Sequence, residues 1–273
     1  REGAATWIGE LAWRDFYRQI MHRFPSLAKG TPFRPETRLL FVETFTNPTM
    51  RAVDPEALLR ATSEVRAVNN SRLVVALDTT IATPWGLASP GLRWEGVDVV
   101  VTSGTKALAG QDRDLWGYLA SDDIRLLNSV MDLQAMRGGI LDWRRATAIL
   151  SGVDNVESLY RRRCDAAQTV TSFLAAHPLV AEVFHPSTPG HPDAAVIAAH
   201  YTASGSMVSF RLVDANEGET CHFCDVLATC GVLRYALSFD GLATKLNHHR
   251  SVSEYFTSDE DVRSIGVDRL VRL

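Results

Sequence analysis

Ser103-Gly104-Thr105-Lys106 follows the apolar run Val97-Asp98-Val99-Val100-Val101, with Thr102 between them. A run of this kind reads as a buried strand, and it delivers a lysine just after two hydroxyl-bearing residues. A lysine amine can condense with an aldehyde, and the Ser103 and Thr105 hydroxyls can donate to a phosphate. This is the functional-group set that a pyridoxal phosphate site requires. Upstream, Leu73-Val74-Val75-Ala76-Leu77 is a second short apolar run and ends at Asp78-Thr79-Thr80. Two parallel strands, one ending in a carboxylate and the next in a lysine, place opposite charges on one rim of a sheet. Ligands of open α/β sheets bind at that rim.

The elements that must position these groups alternate along the chain. Leu39-Leu40-Phe41-Val42 reads as a strand running into Glu43-Thr44-Phe45-Thr46-Asn47-Pro48. Asp54-Pro55-Glu56 then opens a helix, with Asp as N-cap and Pro in the first helical position. The strands ending at Asp78 and Lys106 follow, and a fourth is expected at Leu115–Ala120. Strand and helix in alternation predict a parallel-rich sheet covered on both faces. Beyond Asp122 the pattern is helical to Leu179, with one long helix from Asn155 to Ala176 carrying Arg161-Arg162-Arg163. Adjacent arginines point in different directions around a helix, so a solvated face is expected. Val180–Phe184 and Ser206–Leu212 read as strands flanking a helix over 193–200, and imply a second, smaller α/β unit. At the other end, Trp7, Ile8, Leu11, Ala12, Phe16, Ile20 and Phe24 follow a helical period over residues 5–24. The Gly/Pro-containing stretch 29–35 reads as a linker.

Composition narrows the class. The 273 residues are 46% hydrophobic and 22% charged with a net charge of -4, which suits a globular protein and offers no general attraction to nucleic acid or to an anionic membrane. No run of eighteen apolar residues predicts a membrane span, and no charged-then-apolar leader stands at Arg1. The four cysteines suggest a reducing, cytoplasmic setting. Cys221-His222-Phe223-Cys224 with Cys230 has half of a zinc pattern, but lacks the other half. A helical stripe of Cys221, Cys224, Val226, Leu227 and Cys230 is expected instead, and no metal.

From Thr37 onward the chain resembles the Cys/Met-metabolism pyridoxal phosphate enzymes, the group of cystathionine γ-synthase, the cystathionine lyases and methionine γ-lyase. Val42-Glu43-Thr44-Phe45-Thr46-Asn47-Pro48-Thr49 is similar to that family's "VE-S-P-T-N-P" turn. Asp78–Pro84 is similar to "D-N-T-F-A-T-P", and Ser103–Lys106 to "S-A-T-K", with Gly110 where a glycine-rich stretch follows. Gly266–Leu273 resembles "G-I-x-D-x-L-I-R-L". The four motifs occur in the family's order. The resemblance implies a fold-type I transferase: an α/β large domain with a parallel-rich sheet and a smaller C-terminal α/β domain. By the same resemblance Lys106 forms the imine with the cofactor and then moves protons. Asp78 pairs with the pyridine nitrogen, Ser103 and Thr105 hold the phosphate, and Asn47 sits by the ring hydroxyl. Arg272 holds the substrate carboxylate, with Ser238 also on the substrate side.

The pattern also departs from the family. Thr79 stands for the usual Asn, Ala107 for Tyr, Gln111 for His, and Ser151-Gly152 for an Arg-Gly pair. Nothing between Arg1 and Glu36 matches the family's phosphate turn, ring-stacking aromatic or Tyr/Arg pair, and family members continue past the position of Leu273. The expected organisation is therefore 1–36 as a helix and linker, 37–150 as part of the cofactor-binding domain, and 151–273 as a truncated small domain. Thr6–Met21 resembles the "W-x-x-E-L-x-W-R-x-F-Y" helix of DNA photolyases and cryptochromes, which suggests a fusion. One helix cannot assemble a flavin pocket, and its aromatic stripe is expected to serve packing. The expected function is elimination or replacement at the β or γ carbon of a sulfur-containing or O-acylated amino acid, in a homo-oligomer. The alternative is an incomplete scaffold that survives as a binding or regulatory module.

Overall fold

The computed structural model describes residues 37–68, 73–107 and 114–273. The expected helix over 5–24, the linker at 29–35, Gly110 and Gln111 lie outside those residues.

The first sheet has strand order β1-β2-β3-β4, formed by Leu39–Glu43, Val74–Asp78, Val99–Ser103 and Gly117–Ala120. β1, β2 and β3 are parallel, and β4 is antiparallel to β3. The apolar runs became central strands because both their faces are covered; Val75 and Leu77 are fully buried. The crossover from β1 to β2 is helix α1, Pro55–Val68. Asp54 caps it as expected, its carboxylate accepting the Glu56 N–H at 2.9 Å. β4 returns beside β3 in the opposite direction, with Ser103 opposite Gly117.

Helices α2 (Ile124–Arg137), α3 (Trp143–Leu150) and α4 (Val156–Ala176) follow. The first two bury no residue, and Asp123 and Asp142 cap them. α4 is the long helix expected from the sequence. Its Tyr160 and Cys164 pack with Ala107, next to Lys106, while Ala167 and Leu174 enter the core of a second sheet. The arginine cluster on α4 is not uniformly solvated. Arg161 pairs with Glu157 one turn away, whereas Arg163 turns inward to Asp240 at 2.9 Å.

The second sheet has order β5-β6-β9-β8-β7, formed by Val180–Phe184, Ser209–Leu212, Val271–Arg272, Lys245–His248 and Arg234–Tyr235. All its pairings are antiparallel except β7 with β8. Helix α5 (Ala194–His200) precedes β6 and helix α6 (Glu217–Ala228) follows it. Cys224 of α6 is in the core, but Val226 is exposed and Cys230 lies beyond the helix end, so the expected stripe is only partly realised. Leu227 packs beside Cys224 as expected, and Phe223, outside the expected stripe, joins it. Two short helices, α7 (His249–Val252) and α8 (Asp259–Ser264), lead back to β9.

The two halves share a core. Phe45, Met50, Leu77 and Val100 of the first sheet's region pack with Tyr201 and Met207. The Tyr201 hydroxyl lies 2.9 Å from both the Thr44 and Val53 carbonyls and donates its proton between them. That contact fixes the loop after β1, which carries Asn47.

Candidate active site

The C-terminal ends of β1, β2 and β3 place Glu43, Asp78 and Ser103 along one rim, as the parallel register requires. Lys106 follows a tight turn after β3, with its N–H on the Ser103 carbonyl. Its ammonium donates to the Ser238 Oγ and stands 5.2 Å from the centre of the Phe239 ring. Arg272, buried in β9, stands 5.7 Å from the same ring. It donates from Nη1 to Asn47 Oδ1 at 3.0 Å and from Nη2 to the Leu237 carbonyl at 3.0 Å. Lys106, Ser238, Arg272 and Asn47, dispersed over the sequence, are thus brought together around Phe239.

Asp78 is held by Thr80. The Thr80 N–H reaches Asp78 Oδ1 at 2.7 Å, and the Thr80 hydroxyl accepts the Ser103 N–H at 2.9 Å. Burial raises the Asp78 carboxyl above its ordinary range, and the Thr80 hydrogen bonds oppose that. Glu43 is its cross-strand neighbour. Although Glu43 keeps solvent access at the rim, desolvation of its carboxyl first and the Asp78 charge second push it up to about 7, against the opposing Asn47 N–H.

Ser103 and Thr105 differ. Ser103 is half-buried at the rim. The Thr105 hydroxyl donates to the Trp116 carbonyl at 3.2 Å and accepts the Trp116 N–H at 3.0 Å, so its proton is directed at the residue preceding β4. Between them, Gly104 lies against the Trp116 indole, where a Cβ would meet ring carbon at 2.2 Å.

Sequence reasoning did not single out Thr80, Glu43, Phe239 or Trp116. Glu43 carried a usable signal, since it ends the first apolar strand as Asp78 ends the second. Phe239 carried none, because its place between Lys106 and Arg272 depends on the second sheet's strand order. Among the described residues no group of three or more acidic, histidine or cysteine side chains is arranged to hold a metal, and no helix is long and apolar enough to cross a membrane.

Comparison with known proteins gives the class. Residues 27–273 match the family model of the Cys/Met metabolism PLP-dependent enzymes. The L-methionine gamma-lyase of Fusobacterium nucleatum subsp. nucleatum is 32% identical over 248 residues, covering 88% of this chain and 58% of that enzyme. The cystathionine gamma-synthase of Mycobacterium tuberculosis is 30% identical over 246 residues, covering 90% of this chain and 60% of that enzyme. Among solved structures, metB from Corynebacterium glutamicum superposes with a TM-score of 0.76 at 26% identity, over 88% of this chain and 58% of that one. The fold is the fold-type I arrangement expected from the motifs, and the chain belongs to the Cys/Met metabolism PLP-dependent enzyme family. It spans about three-fifths of the length of these relatives. The match begins at residue 27, upstream of Thr37 and inside the segment 1–36 expected to be a helix and linker.

Proposed function

We propose that this chain carries the cofactor-binding and substrate-carboxylate portions of a pyridoxal phosphate-dependent enzyme. The reaction is elimination or replacement at the β or γ carbon of a sulfur-containing or O-acylated amino acid. The carrying observation is the amine of Lys106 and the guanidinium of Arg272 facing one ring, Phe239, beside the strand end that bears Asp78.

The donor set fits the group named by the family. Lys106 supplies the amine for its aldehyde, Asp78 a carboxylate for its ring nitrogen, Asn47 an amide near its ring hydroxyl, and Ser103 a hydroxyl for its phosphate. Thr105 serves the phosphate only after leaving the Trp116 carbonyl. When bound, the cofactor supplies an electron-accepting ring that makes the substrate Cα–H acidic. The residues do the rest. Arg272, oriented by Asn47 and the Leu237 carbonyl, binds the carboxylate through its planar fork. Lys106, beside Ser238, would take the Cα proton at Nζ in its neutral amine form and pass it on after the leaving group departs.

The division at residue 150 into cofactor-binding and substrate-side halves belongs to this proposal, as do a cytoplasmic setting and a homo-oligomer. Four free cysteines support the first setting. Exposed Met131, Met136, Ile140, Trp143 and Leu150 on and between α2 and α3 support self-association.

The test is the visible spectrum of the purified chain with added pyridoxal phosphate, beside Lys106→Ala. A new band that borohydride fixes onto Lys106, and that the variant lacks, is the expected result. No band in the wild type, or the same band in the variant, overturns the proposal and leaves the alternative of a scaffold without turnover.

A further inference from the structure

Glu43 and Asp78 are Cα partners at the C-terminal ends of two parallel strands. Cross-strand partners project to the same face of a sheet, so the two carboxyls are neighbours at the rim. Neighbouring carboxylates repel, and such a pair keeps one proton to a higher pH than an isolated acid does. The hydrogen-bond donors decide which residue holds it. Asp78 receives the Thr80 N–H at 2.7 Å and also the Thr80 hydroxyl, and both favour its ionised form. Glu43 receives one long contact, from the Asn47 N–H at 3.4 Å. That same Asn47 accepts from Arg272 through its side-chain oxygen.

We propose that Glu43 is a positioning residue of this site: it carries the proton of the Glu43–Asp78 pair, leaves Asp78 ionised to face a cationic ring nitrogen, and anchors the backbone of Asn47. The identity of the cation rests on the function proposed above; the location of the proton does not. The groups that act on Glu43 are Asp78 from β2, the Asn47 N–H from the following loop and, beyond Asn47, Arg272 from β9. The upward shift of the Glu43 carboxyl to about 7 agrees with the proton's location. The side chain also keeps solvent access at the rim, which screens part of the repulsion.

The test is carbon-13 NMR titration of labelled glutamate and aspartate carboxyls in the full chain without added cofactor. One glutamate is expected to titrate well above 4.5, and its signal disappears in Glu43→Gln. In Asp78→Asn its midpoint falls by about one pH unit or more as the neighbouring charge is removed. With pyridoxal phosphate added, Glu43→Gln, which mimics the protonated acid, retains binding, and Glu43→Ala weakens it. A Glu43 midpoint in the ordinary carboxylate range, or a high midpoint that belongs to Asp78, overturns the assignment. Should Asp78→Asn not fold, the labelled wild type and Glu43→Gln carry the test. Failure to trap Lys106 removes the cofactor reading and leaves this titration standing. A trapped Lys106 with an ordinary Glu43 removes the proton assignment alone.

Discussion

Arg272 and Asn47 are 225 positions apart in sequence, and the guanidinium of one donates to the amide oxygen of the other at 3.0 Å. The contact joins β9 of the second sheet to the loop after β1 of the first. Removing the acceptor leaves a buried guanidinium with one fewer partner. Asn47→Ala is therefore expected to lower stability by about 1–3 kcal/mol, and Asn47→Asp to lose much less, since a carboxylate accepts in the same place. Urea unfolding of the two variants checks this. Equal losses would show that the contact does not determine the effect.

Gly104 is required by the Trp116 indole. Gly104→Ala places a methyl group 2.2 Å from a ring carbon, so the ring or the turn must move. The expected cost is about 1–3 kcal/mol of stability, with a changed Trp116 emission spectrum. Trp116→Leu combined with Gly104→Ala should be less destabilised than the two single effects added together. Simple additivity would speak against the steric account.

Asp240 adopts a left-handed backbone, φ 62°, which aspartate tolerates better than most residues. Its side chain is 4% exposed and pairs with the 15% exposed Arg163 of α4. Asp240→Asn keeps the backbone conformation but removes the charge, and is expected to cost about 3 kcal/mol. Adding Arg163→Leu should recover part of that, because no buried cation then remains. A double variant less stable than Asp240→Asn would refute the explanation.

His185 is fully buried, and burial lowers its imidazole from 6.5 to about 4. A backbone hydrogen bond with Gly205 opposes this, and electrostatic repulsion from His191 acts in the same direction as burial. The unfolded chain therefore binds the extra proton first. Stability from this group is present above pH 6.5 and is lost as pH falls toward 4, by about 3 kcal/mol in all. Glu43 has the opposite slope: its folded value is raised, so stability falls as pH rises from 4.5 to about 7. The two slopes overlap between 4.5 and 6.5 and partly cancel in the wild type. Unfolding measured across pH should fall more steeply with rising pH in His185→Asn than in the wild type, and less steeply in Glu43→Gln. Parallel profiles for all three proteins would be the contrary result.

The first sheet was largely legible because its strands are continuous apolar runs that end in polar, chemistry-bearing residues. Asp54-Pro55 marked the start of α1 just as clearly. The second sheet was less so. β8 reads Lys-Leu-Asn-His, and its Asn247 and His248 are buried by hydrogen bonds to the Ala236 and Asp268 carbonyls, which periodicity does not register. The strand expected from Ser206 begins only at Ser209, where its antiparallel partners begin. Arg163 was misjudged because adjacent arginines carry one composition signal, while the buried Asp240 that separates their fates is 77 positions away. Asp78 was found as a strand end and Lys106 close after one, beyond the turn that follows Ser103, but Phe239, which Lys106 and Arg272 share, depends on a strand order that the chain does not announce.

Helix α4 is 21 residues long, about 30 Å at the usual rise, and is seated at one end against Ala107 and at the other in the core of the second sheet. It acts as a strut: the core of the second sheet and the turn that carries the Lys106 amine are joined by one rigid element, so the spacing between them is set by helix length rather than by loop conformation.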